Sequence, residues 1–129
     1  MRKLKLEELD RLSVEEFKKT KKIPLIVVLD NVRSALNVGS VFRTSDAFAV
    51  EKIYLCGITA KPPHKEILKT AIGATDSVEW EHKKDVVETI EKLKSEGCSI
   101  FGIEQTSDTT FLQDVDLEEV TKAVIVLGN

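Results

Sequence analysis

The sequence has 129 residues, 42% of them hydrophobic and 32% charged, the balance of one soluble globular domain, which excludes a disordered or collagen-like chain. No apolar run approaches the roughly 20 residues a membrane span needs, and the opening MRKLKLEELDRL lacks a secretory apolar core, so a cytoplasmic protein with no membrane partner is expected. A net charge of −3, from 19 Lys+Arg against 22 Asp+Glu, excludes a globally basic nucleic-acid binder, although residues 1–22 carry +3 and the remainder −6.

That basic N-terminal arm reads either as a solvated helix face or as an RNA-contacting extension. Leu4, Leu6, Leu9 and Leu12 suggest a short amphipathic helix, and Ser13-Val14-Glu15-Glu16 has the spacing of a capping box that starts a second helix, about Val14 to Lys21. After Pro24 the run Leu25 to Leu29 is predicted as a buried strand, because β-branched residues follow one another without polar alternation.

From there the pattern alternates. A helix is expected from Gly39 to Phe48, a buried strand from Lys52 to Cys56 closed by Gly57, a turn-rich loop from Thr59 to Pro63, and a helix from His64 to Ile72 stopped by Gly73. Ser77 to His82 reads as a short strand. Asp85 to Lys94 carries Val86, Val87, Ile90 and Leu93 at helical spacing, followed by a strand from Cys98 to Ile103, a helical turn at Leu117 to Val120, and a last strand from Ala123 to Leu127. This is an α/β fold, a mostly parallel sheet flanked by helices, whose ligands bind beyond the carboxyl ends of the strands. The domain division is a helical N-terminal extension, residues 1–22, and one domain, residues 23–129. Cys56 and Cys98 have no metal-ligand or disulfide spacing and read as buried, reduced core residues; no metal site is expected.

The densest polar stretch, Asp30 to Asp46, lies where the first strand passes into a helix. Asn37 and Gly39 suit a tight turn there, Ser40 would cap the helix, and the free amides of its first turn would attract an anion such as phosphate. Arg43 then has two readings: a bidentate grip on that anion, or a surface ion pair with Asp46 or Asp30. Neither GxGxxG nor GxxxxGK[ST] occurs, which argues against dinucleotide and P-loop enzymes, and GxSxG is absent. His64 and His82 are read as exposed surface residues. The carboxylates Glu79, Glu81, Asp85, Glu88 and Glu91 are assigned to a solvated face with no catalytic role.

The stretch LDNVRSALNVGSVFRTSDAF, then GATDSVEW and the terminal AVIVLGN, together resemble the SpoU/TrmH family of RNA ribose 2′-O-methyltransferases, in the SPOUT superfamily. The first motif of that family has Asn, then Gly two residues on, then Arg four residues beyond, matched by Asn37, Gly39 and Arg43; Leu127-Gly128-Asn129 match the opening of the second. The resemblance covers about residues 24–129. It implies a SPOUT, or α/β-knot, fold from which the knotted C-terminal segment is missing, since the glutamate after Leu-Gly and the third motif do not follow Asn129.

The resemblance further implies S-adenosylmethionine as cofactor, tRNA or rRNA as partner, and a homodimer. In that reading Arg43 and Asn37 are the catalytic residues, Arg43 holding an RNA phosphate and lowering the 2′-hydroxyl pKa by its charge, and Asn37 orienting Arg43 or the ribose. Leu127 and Gly128, with Glu104, Gln105 and Thr106 by position, would bind the cofactor; Arg33, Arg43, Lys61 and Lys65 would contact RNA. Without the third motif the cofactor pocket is expected to be incomplete and binding weak. Two other readings remain beside this one: a non-catalytic RNA-binding protein that keeps the fold, and a generic α/β protein that binds a phosphorylated small molecule at the Asn37 to Arg43 segment.

Overall fold

The computed structural model describes residues 1–128, apart from the side chain of Leu6; the Asn129 position of the Leu-Gly-Asn match lies outside the described residues. The elements in chain order are α1 (Val14–Lys19), β1 (Ile23–Asp30), α2 (Ala35–Ala47), β2 (Val50–Cys56), α3 (Lys65–Ala71), α4 (Ala74–Ser77), β3 (Trp80–Lys83), α5 (Val86–Ser95), β4 (Ser99–Ile103) and β5 (Ala123–Gly128). The five strands form one parallel sheet in the order β3-β2-β1-β5-β4.

The missing polar alternation in the strands follows from burial on both faces. Val27, Leu29, Ile53 and Leu55 point to the side covered by α2, α3 and α4, where they pack with Val38, Phe42 and Ile67. Ile26, Val28, Tyr54 and Cys56 point to the other side, against Leu93 of α5 and Val124 of β5. Successive strand residues alternate between faces, so two cores of opposite parity require an apolar residue at nearly every position.

Cover on the α2 side is uneven. Beyond α2, the β5 residues Ile125 and Leu127 and the β4 residue Phe101 are only half-buried, and Ile103 is exposed. An apolar groove of about 430 Å³ runs there between α2 and β5, lined among others by Leu25, Val41, Phe48, Ile125 and Leu127. No helix among the described residues is long and apolar enough to cross a membrane.

Several boundaries differ from the sequence expectation. The helix predicted from Gly39 begins at Ala35, because Ser34 rather than Ser40 is its N-cap, so Asn37 and Gly39 lie inside the helix instead of in a turn. The strand predicted from Ser77 begins at Trp80, where pairing with Ile53 of β2 starts, and residues 74–77 form the single turn α4. The leucine-rich start folds only as a 3-10 turn at Leu6–Glu8, since Leu4 and Leu12 are exposed and find no apolar surface. Helix α1 ends at Lys19 rather than Lys21, and β1 takes in Pro24. Leu117 to Val120 is one hydrogen-bonded turn, from the Val120 N–H to the Leu117 carbonyl. Cys56 is buried, but Cys98, at the start of edge strand β4, is only half-buried; both are free thiols, and burial raises the pKa of each.

Candidate functional site

The carboxyl ends of β1, β2 and β5 meet in register, Asp30 beside Cys56 on one side and Gly128 on the other. Helix α2 leaves this edge through the loop 31–34. The Ser34 hydroxyl accepts from the Asn37 N–H at 3.2 Å, so that amide is already satisfied and the anion site expected at Ser40 is not formed. Asn37, Ser40 and Arg43 instead stand at i, i+3 and i+6 along one ridge of α2, and all three are exposed. Arg43 forms no ion pair among the described residues, with Asp46 or Asp30 or any other group, and Asp46 Oδ1 instead accepts from the Ser77 hydroxyl at 2.9 Å. Ser40 and Thr44 border the apolar groove whose other wall includes Leu127.

Gly39 faces the opposite way. A Cβ added there would lie 2.0 Å from Thr70 Oγ1 and 2.3 Å from the Ile67 carbonyl oxygen, so the glycine is needed for the close crossing of α2 and α3. The motif glycine is therefore a packing residue, buried between two helices.

Arg33, Lys61 and Lys65 are exposed on, or at the end of, the two loops that follow β1 and β2. Those loops are tied together. The buried Thr59 hydroxyl donates to the Cys56 carbonyl at 2.7 Å and accepts from the Val32 N–H at 3.0 Å, while Asn31 Oδ1 accepts from the Ile58 N–H at 2.9 Å. Asn31 holds φ of 51°, a left-handed conformation that asparagine tolerates better than most residues. His82, expected on the surface, is half-buried with Nε2 3.0 Å from the Gly57 carbonyl oxygen, and so braces the same loop from β3. His64 is exposed as expected and caps α3, its Nδ1 accepting from the Glu66 N–H. These tying residues carry no sequence signal, because their partners lie 25 to 27 positions away along the chain.

The proposed cofactor residues sit at the other end of the edge. Leu127 is half-buried, Gly128 is exposed, and a Cβ on Gly128 would meet only the Asp30 carbonyl oxygen at 3.9 Å, so the backbone there is open to approach. Glu104, Gln105 and Thr106 are exposed just past β4; Glu104 Oε1 accepts from the Gln105 N–H, and Thr106 pairs with Thr109. With the neighbouring Ile103 exposed, this donor set offers an apolar shelf and exposed polar groups, which suits an adenosyl group, whereas no cluster of His, Cys, Asp or Glu among the described residues suits a metal.

A crevice of about 800 Å³ lies on the α5 side and is lined by Asp30, Asn31, Gly57, Lys83, Asp85 and Lys92 among others; it contains none of the predicted site residues. On β2 and β3, Glu81 bridges Lys83 at 2.7 Å and Lys52 at 3.0 Å, and those two hydrogen bonds pull its pKa down to about 2. Glu79 also pairs with Lys52, at 3.6 Å, so these carboxylates tie β2 to β3.

The sequence model of the SpoU rRNA Methylase family matches residues 24–129. The chain is 28% identical over 114 residues to the 23S rRNA (guanosine-2′-O-)-methyltransferase RlmB of Pseudomonas aeruginosa, covering 88% of this chain and 45% of that one. It is 28% identical over 125 residues to the protein of the same description from Coxiella burnetii, covering 96% and 49%. The chain thus spans about half the length of the curated relatives it matches. Among solved structures it resembles the A. aeolicus TrmH/SpoU tRNA modifying enzyme, with a TM-score of 0.75, 26% identity and coverage of 90% of this chain and 57% of that one. The SpoU methyltransferase AviRb from Streptomyces viridochromogenes, solved in complex with AdoMet, shares the fold at a TM-score of 0.72 and 18% identity, over 86% of this chain and 45% of that one. With its five-stranded parallel sheet, its Asn37-Gly39-Arg43 helix and a family match across most of its length, the chain belongs to the SpoU/TrmH family of RNA 2′-O-methyltransferases.

Proposed function

We propose that the protein transfers a methyl group from S-adenosylmethionine to a ribose 2′-hydroxyl of tRNA or rRNA, as a cytoplasmic homodimer. The observation that carries this reading is the α2 ridge: Asn37 and Arg43, at the family spacing, stand exposed on the helix whose Ser40 and Thr44 border a groove that reaches Leu127. When bound, S-adenosylmethionine supplies a methyl carbon made electrophilic by its sulfonium.

The chain's own residues then have distinct tasks. The Arg43 guanidinium, which makes no ion pair among the described residues, holds an RNA phosphate with two parallel hydrogen bonds and stabilises charge developing on the 2′-oxygen. Asn37, which both donates and accepts, orients the ribose or Arg43. Leu127 and the Gly128 backbone hold the cofactor, with Glu104, Gln105 and Thr106 beside them. Arg33, Lys61 and Lys65 contact phosphates on the loops clasped by Thr59 and Asn31, a rigid presentation that limits the entropy lost on binding. Residues 1–22 form an extension to this domain, and the uncovered apolar strip on β4 and β5 supports association of two subunits.

Methyl transfer from labelled S-adenosylmethionine into total cellular RNA, followed by digestion to nucleosides, tests the reading. Label is expected in a 2′-O-methylnucleoside and lost in Arg43→Ala. Arg43→Lys keeps the charge but not the fork, so its rate should fall about tenfold or more; near-normal activity in that variant would refute the bidentate clamp. Absence of label with RNA binding retained would favour the non-catalytic RNA-binding protein instead.

A further inference from the structure

Helix α2 carries the two proposed catalytic residues, and a carbonyl of its first turn accepts a hydrogen bond from a side chain of α3. The Thr70 hydroxyl lies 2.7 Å from the Leu36 carbonyl oxygen, against 3.5 Å from the Glu66 and Ile67 carbonyls of its own helix. A hydroxyl has a single proton, and the short contact takes it, so Thr70 donates across to α2. Leu36 is the residue immediately before Asn37. The join lies at the close crossing of α2 and α3, since the same Thr70 oxygen lies 2.0 Å from where a Gly39 Cβ would be.

Packing anchors only the inner side of this turn, where Val38 is fully buried in the core shared with Ile67 of α3. On the outer side Leu36 and Asn37 are both exposed, and the contact between the helices at Gly39 has no side chain from α2. A directional hydrogen bond to the Leu36 carbonyl adds a restraint on that outer side.

We propose that Thr70 is a positioning residue whose hydroxyl fixes the first turn of α2, and with it Asn37, against α3. The proposal rests on the methyl-transfer reading for its catalytic consequence and on geometry alone for its structural one. In-line transfer depends on alignment, and displacements of about 1 Å are known to slow such steps by up to about a hundredfold. Thr70→Val keeps the shape and removes the proton donor; Thr70→Ala removes it without crowding Gly39; Thr70→Ser restores it.

Kinetics of these variants with tRNA and rRNA, measured with amide hydrogen exchange, form the test. For Val and Ala, kcat is expected to fall about tenfold with KM for RNA within about twofold of wild type, and Ser is expected to recover the rate. The Ser40 amide, which donates to Leu36 in the helix, should exchange at least about fivefold faster in Val and Ala, with α5 unchanged. An active wild type whose Thr70→Val variant keeps its kcat would overturn the positioning role. If the wild type does not methylate RNA, the reaction reading fails by itself, and exchange decides the latch: unchanged protection at Ser40 in both variants overturns it.

Discussion

Replacing Gly39 by alanine is the most direct test of how α2 is seated. In an isolated helix this change is favourable by about 1 kcal/mol, because alanine restricts the unfolded chain and glycine does not. Here the new methyl would lie 2.0 Å from Thr70 Oγ1 and 2.3 Å from the Ile67 carbonyl oxygen, where ordinary contact begins near 3.4 Å. Thr70 can turn away, but the carbonyl belongs to the α3 backbone, so the helices must separate by roughly 1 Å along that line. Overpacking of this kind costs about 1–3 kcal/mol, and contact with backbone places it at the upper end. The net expectation is destabilisation by about 2 kcal/mol, a fall in melting temperature of roughly 7 °C for a chain of 129 residues. Reversible thermal or urea unfolding measures it. Gly102→Ala is the internal comparison, since nothing lies within 4 Å of its Cβ position and its backbone is an ordinary strand. A Gly39→Ala protein as stable as wild type, or more so, would refute the close-crossing argument.

Two other expectations concern stability. Thr59→Val leaves the Val32 N–H without its 3.0 Å partner and should destabilise by about 2 kcal/mol, with faster exchange of the Val32 amide; equal urea midpoints would show that the loop clasp adds nothing. Glu81, with a folded pKa lowered from 4.5 to about 2 by Lys83 and Lys52, contributes stability that is full above the unfolded pKa and is lost as pH falls through the window from about 4.5 to 2. Because its side chain is 41% exposed, screening reduces that contribution to about 1 kcal/mol, and the difference in stability between wild type and Glu81→Gln should shrink across that window. A difference that is constant with pH would place the contribution elsewhere.

The parallel sheet was readable because burial on both faces makes each strand a run such as Leu25 to Leu29, and the helices between them follow from apolar spacing. The start of α2 was misread for a physical reason: Asn37-Val38-Gly39 has the residues of a turn, yet Gly39 is there to admit α3, a tertiary demand that local propensity does not show. Likewise the strand expected from Ser77 starts late, because pairing with Ile53 begins only at Trp80 and Ser77 belongs to the turn α4. Asn37 and Arg43 were visible through their spacing. Their shared ridge with Ser40 was not, because it depends on where the helix begins. Thr59, Asn31 and Thr70 were invisible, since each acts on a partner 27 to 34 positions away.

The strand order has a consequence for how the chain is made. Strand β5 lies between β1 and β4, yet Leu25 and its partner Ala123 are separated by about a hundred residues. During synthesis β1 and β2 can pair as soon as they emerge, but one edge of β1 stays open and β4 has no neighbour until β5 arrives between them. The middle of the sheet is therefore the last part to close. Until then two unpaired strand edges and much of both apolar faces are exposed together, which makes this a slow-closing topology and the growing chain a natural client for chaperones.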